Sequence, residues 1–144
     1  MAHYADTSFL GSYYLPDANS ARALAAVRPL SAPLLFTALH RLELRNALAL
    51  AVFRGRITPQ QEQKAWQDVT KDLRSGLLAP TSLNWYVVLR SATLLSVQHC
   101  VATGCRSLDV LHIAAARKLA STEILSFDAR QRALAQRVGL TARP

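Results

Sequence analysis

Asp6, Glu43, Asp109 and Asp128 are the residues of this chain best suited to chemistry. The sequence has nine Asp and Glu against seventeen Lys and Arg, yet these four acids stand where a freely solvated carboxylate is not expected. Asp6 ends a short apolar run, and Glu43 sits inside a Leu-rich stretch. Asp109 opens an Ala-rich stretch, and Asp128 follows another apolar run. Carboxylates spread along a chain but placed at strand ends and helix starts can meet in space, and a cluster of them is a hard-cation site. Held close together, they repel and raise one another's pKa unless a divalent cation sits among them. Oxygen-only ligation, with no His or Cys at ligand spacing, points to Mg²⁺ or Mn²⁺ rather than zinc. Mg²⁺ keeps several waters and is completed by substrate phosphate. An acidic pocket in a basic protein therefore points to phosphodiester chemistry.

Each acid also has a plainer reading. Asp6 and Asp128 are good helix N-caps, and Asp109 lies in a first turn, where the macrodipole favours any anion. Glu43 belongs to a largely apolar face, where an unpaired carboxylate is costly. An ion pair with Arg41, Arg45 or another base would satisfy it.

The elements that must position these acids follow from periodicity and caps. His3 to Ala5 is the end of a first strand, with Asp6 at its carboxyl edge. Thr7 and Ser8 start a short helix that Pro16 terminates. Asp17 or Asn19 caps a second helix over 21–27, and Leu34 to Phe36 is a second strand. A helix from Thr37 to Phe53 carries Leu39, Leu42, Ala47, Leu50 and Phe53 as its apolar stripe, and Gly55 ends it. Thr58-Pro59-Gln60-Gln61 is a capping box with Pro at the first helical position, opening a polar helix to about Ser75. A short strand from Gly76 closes at Pro80, and a helix runs from Asn84 or Trp85 to Val101. Residues 107–120 form a helix apolar nearly all round and therefore buried. Glu123 to Phe127 is a strand, 128–138 a helix, and Gly139-Leu140-Thr141 a last strand. Strands alternating with helices predict an α/β layered fold with a mostly parallel sheet, whose sites lie beyond the strands' carboxyl ends. Asp6 and Asp128 fall there, and Asp109 and Glu43 project from helices packed on that edge.

A chain of 144 residues is expected to form a single domain spanning 1–144, burying roughly 70% of its unfolded surface. The net charge of +8 favours a polyanionic partner, with RNA, DNA and an anionic membrane surface all admissible. Fourteen of the seventeen basic residues are Arg, which suits bidentate phosphate contacts. Cys100 and Cys105 have neither redox nor zinc spacing and read as core-facing residues. No basic leader and no apolar run of roughly 18 residues is present, so a cytoplasmic protein that does not span a membrane is expected.

Four stretches together carry a family resemblance: Tyr4-Ala5-Asp6-Thr7-Ser8, residues 43–48 (ELRNAL), residues 109–116 (DVLHIAAA) and Leu125-Ser126-Phe127-Asp128. Their order and spacing resemble the four acidic motifs of PIN-domain nucleases, most of all the VapC-type toxins of bacterial toxin–antitoxin pairs, over essentially the whole chain. Ser126 stands where such toxins often have Thr, and the hydroxyl is retained. The resemblance implies a PIN-like three-layer fold and a Mg²⁺- or Mn²⁺-dependent endoribonuclease. It also implies a homodimer and a cognate antitoxin protein that blocks the site.

Roles follow from the chemistry. Asp6, Glu43 and Asp109 hold the metal directly or through water, while Asp128 completes the shell or orients the attacking water. Thr7 and Ser8 bond a carboxylate or phosphate, or simply cap a helix, and Ser126 orients a neighbouring acid. Arg41, Arg45, Arg106 and Arg130 flank the acids as phosphate contacts, with solvated surface as the alternative. His112, one turn from Asp109, reads as a core residue or a support for the acids. Trp85 and Tyr86 either stack a base or pack a helix start, and Tyr13, Tyr14 and Leu15 form either an antitoxin groove or core. The rival to an enzyme is a catalytically silent PIN-like module that binds RNA or protein. A phospho-acceptor receiver domain would need paired acids after the first strand and a late Lys, and shows neither.

Overall fold

Pairing between strands far apart in sequence sets the architecture of the computed structural model, which describes residues 2–144. In chain order the elements are β1 (Tyr4–Ala5), α1 (Thr7–Tyr14), α2 (Ser20–Val27), β2 (Leu34–Phe36), α3 (Ala38–Phe53), α4 (Pro59–Ser75), β3 (Leu78–Pro80), α5 (Trp85–Thr103), α6 (Ser107–Lys118), β4 (Glu123–Leu125), α7 (Ala129–Arg137) and β5 (Thr141–Arg143). β1 pairs in parallel with β4, and β4 with β5, while β2 pairs in parallel with β3. A parallel bridge between His3 and Leu34 joins the two groups, giving the order β3-β2-β1-β4-β5. The fold is the expected α/β type with a parallel sheet between helical layers.

Alternation along the short strands divides the core. Tyr4 and Ile124 point to one face, where they meet Val88 and Leu95 of α5, Ile113 of α6 and Leu134 of α7. Ala5 and Leu125 point to the other, where they meet Phe9 and Leu10 of α1, Leu44 of α3 and Val69 of α4. Neighbouring strand residues thus serve opposite layers, as the period of two requires.

Local signals place the helix ends. Thr37 and Thr58 each cap a helix through a reciprocal box, and Pro59 opens α4. Gly76 and Gly104 adopt the left-handed conformation that closes α4 and α5, at φ 83° and 66°, which a Cβ would strain.

Expectations are corrected in the strands and in α3. β3 begins at Leu78, because Gly76 is the left-handed residue that closes α4, and β4 ends at Leu125 rather than Phe127. The apolar stripe of α3 is out of phase: His40, Leu44 and Leu48 face the core. Leu39 is half-buried, Ala47 and Leu50 are exposed, and Leu42 and Phe53 are 68% and 86% exposed. A polar residue leads the buried row, because His40 is fully satisfied there. The Thr37 N–H donates to its Nδ1 at 3.0 Å, and its Nε2–H donates to the Ala5 carbonyl at 2.8 Å. The last strand begins at Thr141 rather than Gly139, since Gly139 is spent on the positive-φ turn (φ 83°) that ends α7.

Candidate active site

Asp6, Glu43, Asp109 and Asp128 line one cavity of about 450 Å³ beyond the carboxyl ends of β1 and β4. Asp6 leaves β1 and caps α1, accepting from the Phe9 N–H at 2.6 Å and the Ser8 hydroxyl at 3.0 Å. Its second oxygen accepts from the Ser126 hydroxyl at 2.7 Å, and that hydroxyl in turn accepts from the Asp128 N–H at 3.1 Å. Ser126 therefore ties together the ends of the two strands that carry acids. Asp128 caps α7 through the Arg130 and Gln131 N–H groups, at 2.8 and 3.0 Å. Capping and cavity lining coexist at Asp6 and Asp128, because an N-cap carboxylate still has free lone pairs to offer.

Glu43 reaches the cavity from α3 and finds a partner that sequence proximity did not indicate. Its Oε1 accepts from His112 Nε2 at 2.6 Å and from the Thr7 hydroxyl at 3.0 Å. The carboxylate can only accept, so Nε2 carries the proton, and the other ring nitrogen faces the Tyr4 hydroxyl at 2.8 Å. A chain Tyr4–His112–Glu43 thus runs from the core to the cavity wall. Burial pushes the Glu43 carboxyl up, but the bonds and charge of His112 with the Thr7 hydroxyl outweigh it, and the net shift is downward. Asp6 behaves oppositely: burial dominates its four weaker stabilising contacts and holds its pKa above the ordinary range. Burial also raises the Tyr4 phenol, helped by the charges of Glu43 and Asp6.

Of the four flanking arginines, only Arg106 lines this cavity. Its backbone N–H and Nε both donate to Asp109 at 3.1 Å, and its Nη2 lies 3.7 Å from Asp128. Arg41 and Arg45 face away. They lie two residues either side of Glu43, hence on the opposite face of α3, and line a separate cleft with Phe36 and Trp85. Arg130 contributes its backbone N–H to Asp128. Its side chain is not among the cavity lining. The structure thus turns Arg41 and Arg45 away from the acids they were expected to flank and leaves Arg130 beside Asp128 through its backbone alone.

The donor set fits a hard divalent cation. All four carboxylates share one cavity without a thiol, and the same wall holds the buried Gln131, whose Oε1 has no hydrogen-bond partner. Among the described residues no three His, Cys, Asp or Glu groups form a ready metal cluster. The reason is local: Arg106 draws Asp109 and Asp128 toward itself, and His112 holds Glu43. Arg106 is 72% exposed at its side chain while Asp109 is 13% exposed, so water and salt screen the pair from the Arg106 side. A cation can displace it at little cost.

Sequence reasoning missed Tyr4, His112 as the partner of Glu43, and Gln131. The i, i+3 spacing of Asp109 and His112 was the available signal, since it puts both on one helix face.

The burial of Asp6 makes a test that needs no substrate. A carboxyl with a raised folded pKa is stabilising only when protonated, and that contribution disappears as pH rises through the folded pKa. At neutral pH in EDTA, Asp6→Asn should therefore raise stability by something on the order of 1 kcal/mol, because Asn still caps α1. The gain should shrink or reverse in Mn²⁺, since the ion then stabilises the variant less. Asp109→Asn should show no such gain in EDTA, because Arg106 already compensates that charge. Thermal melts of the three proteins read the difference, and a gain at Asp109 matching that at Asp6 would contradict it.

These features define a class: a layered α/β domain with a carboxylate-lined cavity at the carboxyl edge of a parallel sheet. Residues 4–137 match the PIN domain family, and the chain belongs to it. PIN domains are generally nucleases that use divalent metals. The fold is similar to that in the crystal structure of FitAcB from Neisseria gonorrhoeae, with a TM-score of 0.63 at 15% identity, covering 100% of this chain and 97% of that one. No curated protein sequence matches the chain.

Proposed function

We propose that this protein is a Mg²⁺- or Mn²⁺-dependent endoribonuclease that acts as the toxin of a toxin–antitoxin pair in the cytoplasm. The observation that carries this reading is the convergence of Asp6, Glu43, Asp109 and Asp128 on one cavity in a chain of net charge +8. A polyanion is drawn to the basic surface, while an acidic centre approaches phosphate only when a cation offsets its charge.

Asp6, Glu43, Asp109 and Asp128 would hold the ion. When bound, it supplies Lewis acidity toward the phosphate and a more acidic water as nucleophile. The chain's own residues do the rest. Ser126 and Ser8 fix the Asp6 carboxylate, and His112 and Thr7 keep Glu43 ionised and aimed inward. Once released from Asp109, Arg106 is free to take a phosphate oxygen.

Two surfaces support the partners. On α5, the exposed Tyr86, Leu94, Val97 and Val101 form a stripe without cover. Leu89 and Val97 share an apolar groove with Leu108 of α6, which also borders the acid cavity. This face suits a second copy of the chain. Tyr13 and Tyr14 meet edge to face at 4.9 Å and line a groove of about 420 Å³ between α1, α2 and α4. Exposed Leu24 borders that groove, and it suits a segment of an antitoxin. Among the described residues no helix is long and apolar enough to cross a membrane.

The deciding experiment is cleavage of a single-stranded RNA by the purified protein. Cleavage should stop in EDTA and return on adding Mn²⁺. RNA that binds but stays intact in either ion would favour the silent binding module, and cleavage indifferent to EDTA would remove the metal from the proposal.

A further inference from the structure

The cleft on the far side of α3 has chemistry that the acid cavity does not use. It measures about 620 Å³ and opens at the carboxyl ends of β2 and β3, beside Phe36 and Pro80. Arg41 and Arg45 line it together with half-buried Trp85 and the hydroxyls of Thr81 and Ser82, and no Asp or Glu is in its wall. The Arg41 guanidinium lies 5.6 Å from the Phe36 ring centre and 5.9 Å from that of Trp66, and Arg45 lies 4.6 Å from Trp66. Those rings restrain the two cations, and Phe36, itself in the cleft wall, keeps Arg41 beside the opening. Arg45 also pairs with Glu62 at 2.8 Å. Arg41 has no ion pair among the described residues and is exposed, leaving its fork of donors for an anion.

We infer that this cleft is a binding subsite for single-stranded RNA, in which Arg41 holds a backbone phosphate and Trp85 stacks a base. Glu62 engages part of Arg45, but Arg41 has no opposing acid and none stands in the cleft wall, so the cleft selects a polyanion. An indole beside them selects one that carries flat rings, and aromatic stacking next to a basic groove is how single strands are held without sequence readout. An acidic peptide would satisfy the arginines but leave the indole without a stacking partner. The subsite rests on the nuclease reading and extends it. α3 presents Glu43 to the acid cavity and Arg41 to the cleft, and a helix is about 10–12 Å across with its side chains. A strand seated in both sites therefore crosses α3 within a few nucleotides. Exposed Leu42, which lines the cleft between the two arginines, becomes the surface it crosses. The consequence is a substrate that must be unpaired beside the cut, since a duplex is too stiff and wide to follow that path.

The test uses the full chain and a fluorescein-labelled twelve-nucleotide oligouridylate. The protein has two tryptophans, so Trp66→Phe leaves Trp85 as the only indole. In EDTA, adding the RNA should quench Trp85 emission, and a polyglutamate of equal length should not. Arg41→Ala should weaken RNA binding several-fold, and Trp85→Leu by roughly five- to a hundred-fold, the range that loss of one stacked base produces. Arg41 is exposed, so Arg41→Ala keeps the test decisive if Trp85→Leu melts early. RNA that binds and is cleaved in Mn²⁺ without quenching Trp85, and with full affinity for Arg41→Ala, overturns the subsite and leaves the nuclease reading standing. Equal quenching by polyglutamate overturns it in favour of a peptide groove. RNA neither bound nor cleaved overturns both.

Discussion

Glu43→Gln, Asp6→Asn and Asp109→Asn should each lower metal-dependent RNA cleavage by on the order of a thousand-fold or more, the scale on which loss of a central charge-stabilising or reacting group is felt. The fold should survive all three. Asn caps a helix about as well as Asp, so α1 keeps its start at residue 6. Gln at position 43 still accepts from His112 and Thr7, which now bond Glu43 at 2.6 and 3.0 Å. What each variant loses is a negative oxygen facing the cavity. Asp128→Asn should retain some activity, because Asp128 stands at the rim with its cap bonds to α7 already made. Single-turnover cleavage under matched Mn²⁺, with circular dichroism to verify folding, reads these effects. Full turnover by Asp109→Asn would remove the four-acid site.

Acid should unfold this protein through His40. Burial, then the neighbouring charge of His112, pushes the imidazole from 6.5 down to about 3, against the opposing pull of its bond to Ala5 and the charge of Glu43. In the unfolded chain the same ring takes up a proton near its ordinary pKa. Between those two values the unfolded state binds the extra proton, so stability falls as pH falls, by about 1.4 kcal/mol per unit. The loss begins near pH 6.5 and is complete only near pH 3. Glu43, with its lowered folded pKa, adds a loss of the same sign only below its unfolded value of 4.5. Asp6, with its pKa raised, opposes it. Between about pH 5 and 6.5 Glu43 drops out, and Asp6 contributes alike to the wild type and to a His40 variant, so their difference isolates His40. Urea midpoints across that range should rise with pH more steeply for the wild type than for His40→Gln. Parallel slopes would show that His40 does not stay neutral in the fold.

Much of the fold was readable because its punctuation is local. Thr58-Pro59-Gln60-Gln61 and Gly55 each act within one helical turn, and α4 begins and α3 ends beside them, whereas Gly76, read as a strand start, closes α4 instead. Three of the acids were readable for a related reason: Asp6, Asp109 and Asp128 sit at or near element ends, where backbone geometry fixes a carboxylate's position, while Glu43 stood out as a charge on a largely apolar helix face. The partners of those acids were not. Glu43 meets His112, sixty-nine residues away in sequence, whereas adjacency pointed to Arg41 and Arg45, which helical geometry sends to the other side. The phase of α3 was misread because counting apolar residues favours Leu42 and Phe53, while burial followed His40 and its bonds to Ala5 and Thr37. A polar residue with all its bonds made is as good a core residue as Leu, and hydropathy does not register it.

The four acids do not stand on one rigid piece. Glu43 comes from α3, which packs through Leu44 into the layer of Phe9 and Val69. Asp109 and Asp128 come with α6 and α7 from the opposite layer, built on Ile113 and Leu134. Asp6 emerges from the sheet between them. The gap across the cavity is therefore a caliper whose jaws are two separate hydrocarbon layers, with the His112–Glu43 bond as a direct cross-tie between α3 and α6. Misplacing a reacting group by about 1 Å can cost roughly a hundred-fold in rate, while a packed core absorbs such a shift without unfolding. Turnover in this protein is consequently adjustable from the interior. On the proposed nuclease reading, a change of one methyl group at Leu44 or Ile113 resets the jaws without altering any residue of the cavity wall, so catalytic strength is open to selection independently of substrate recognition.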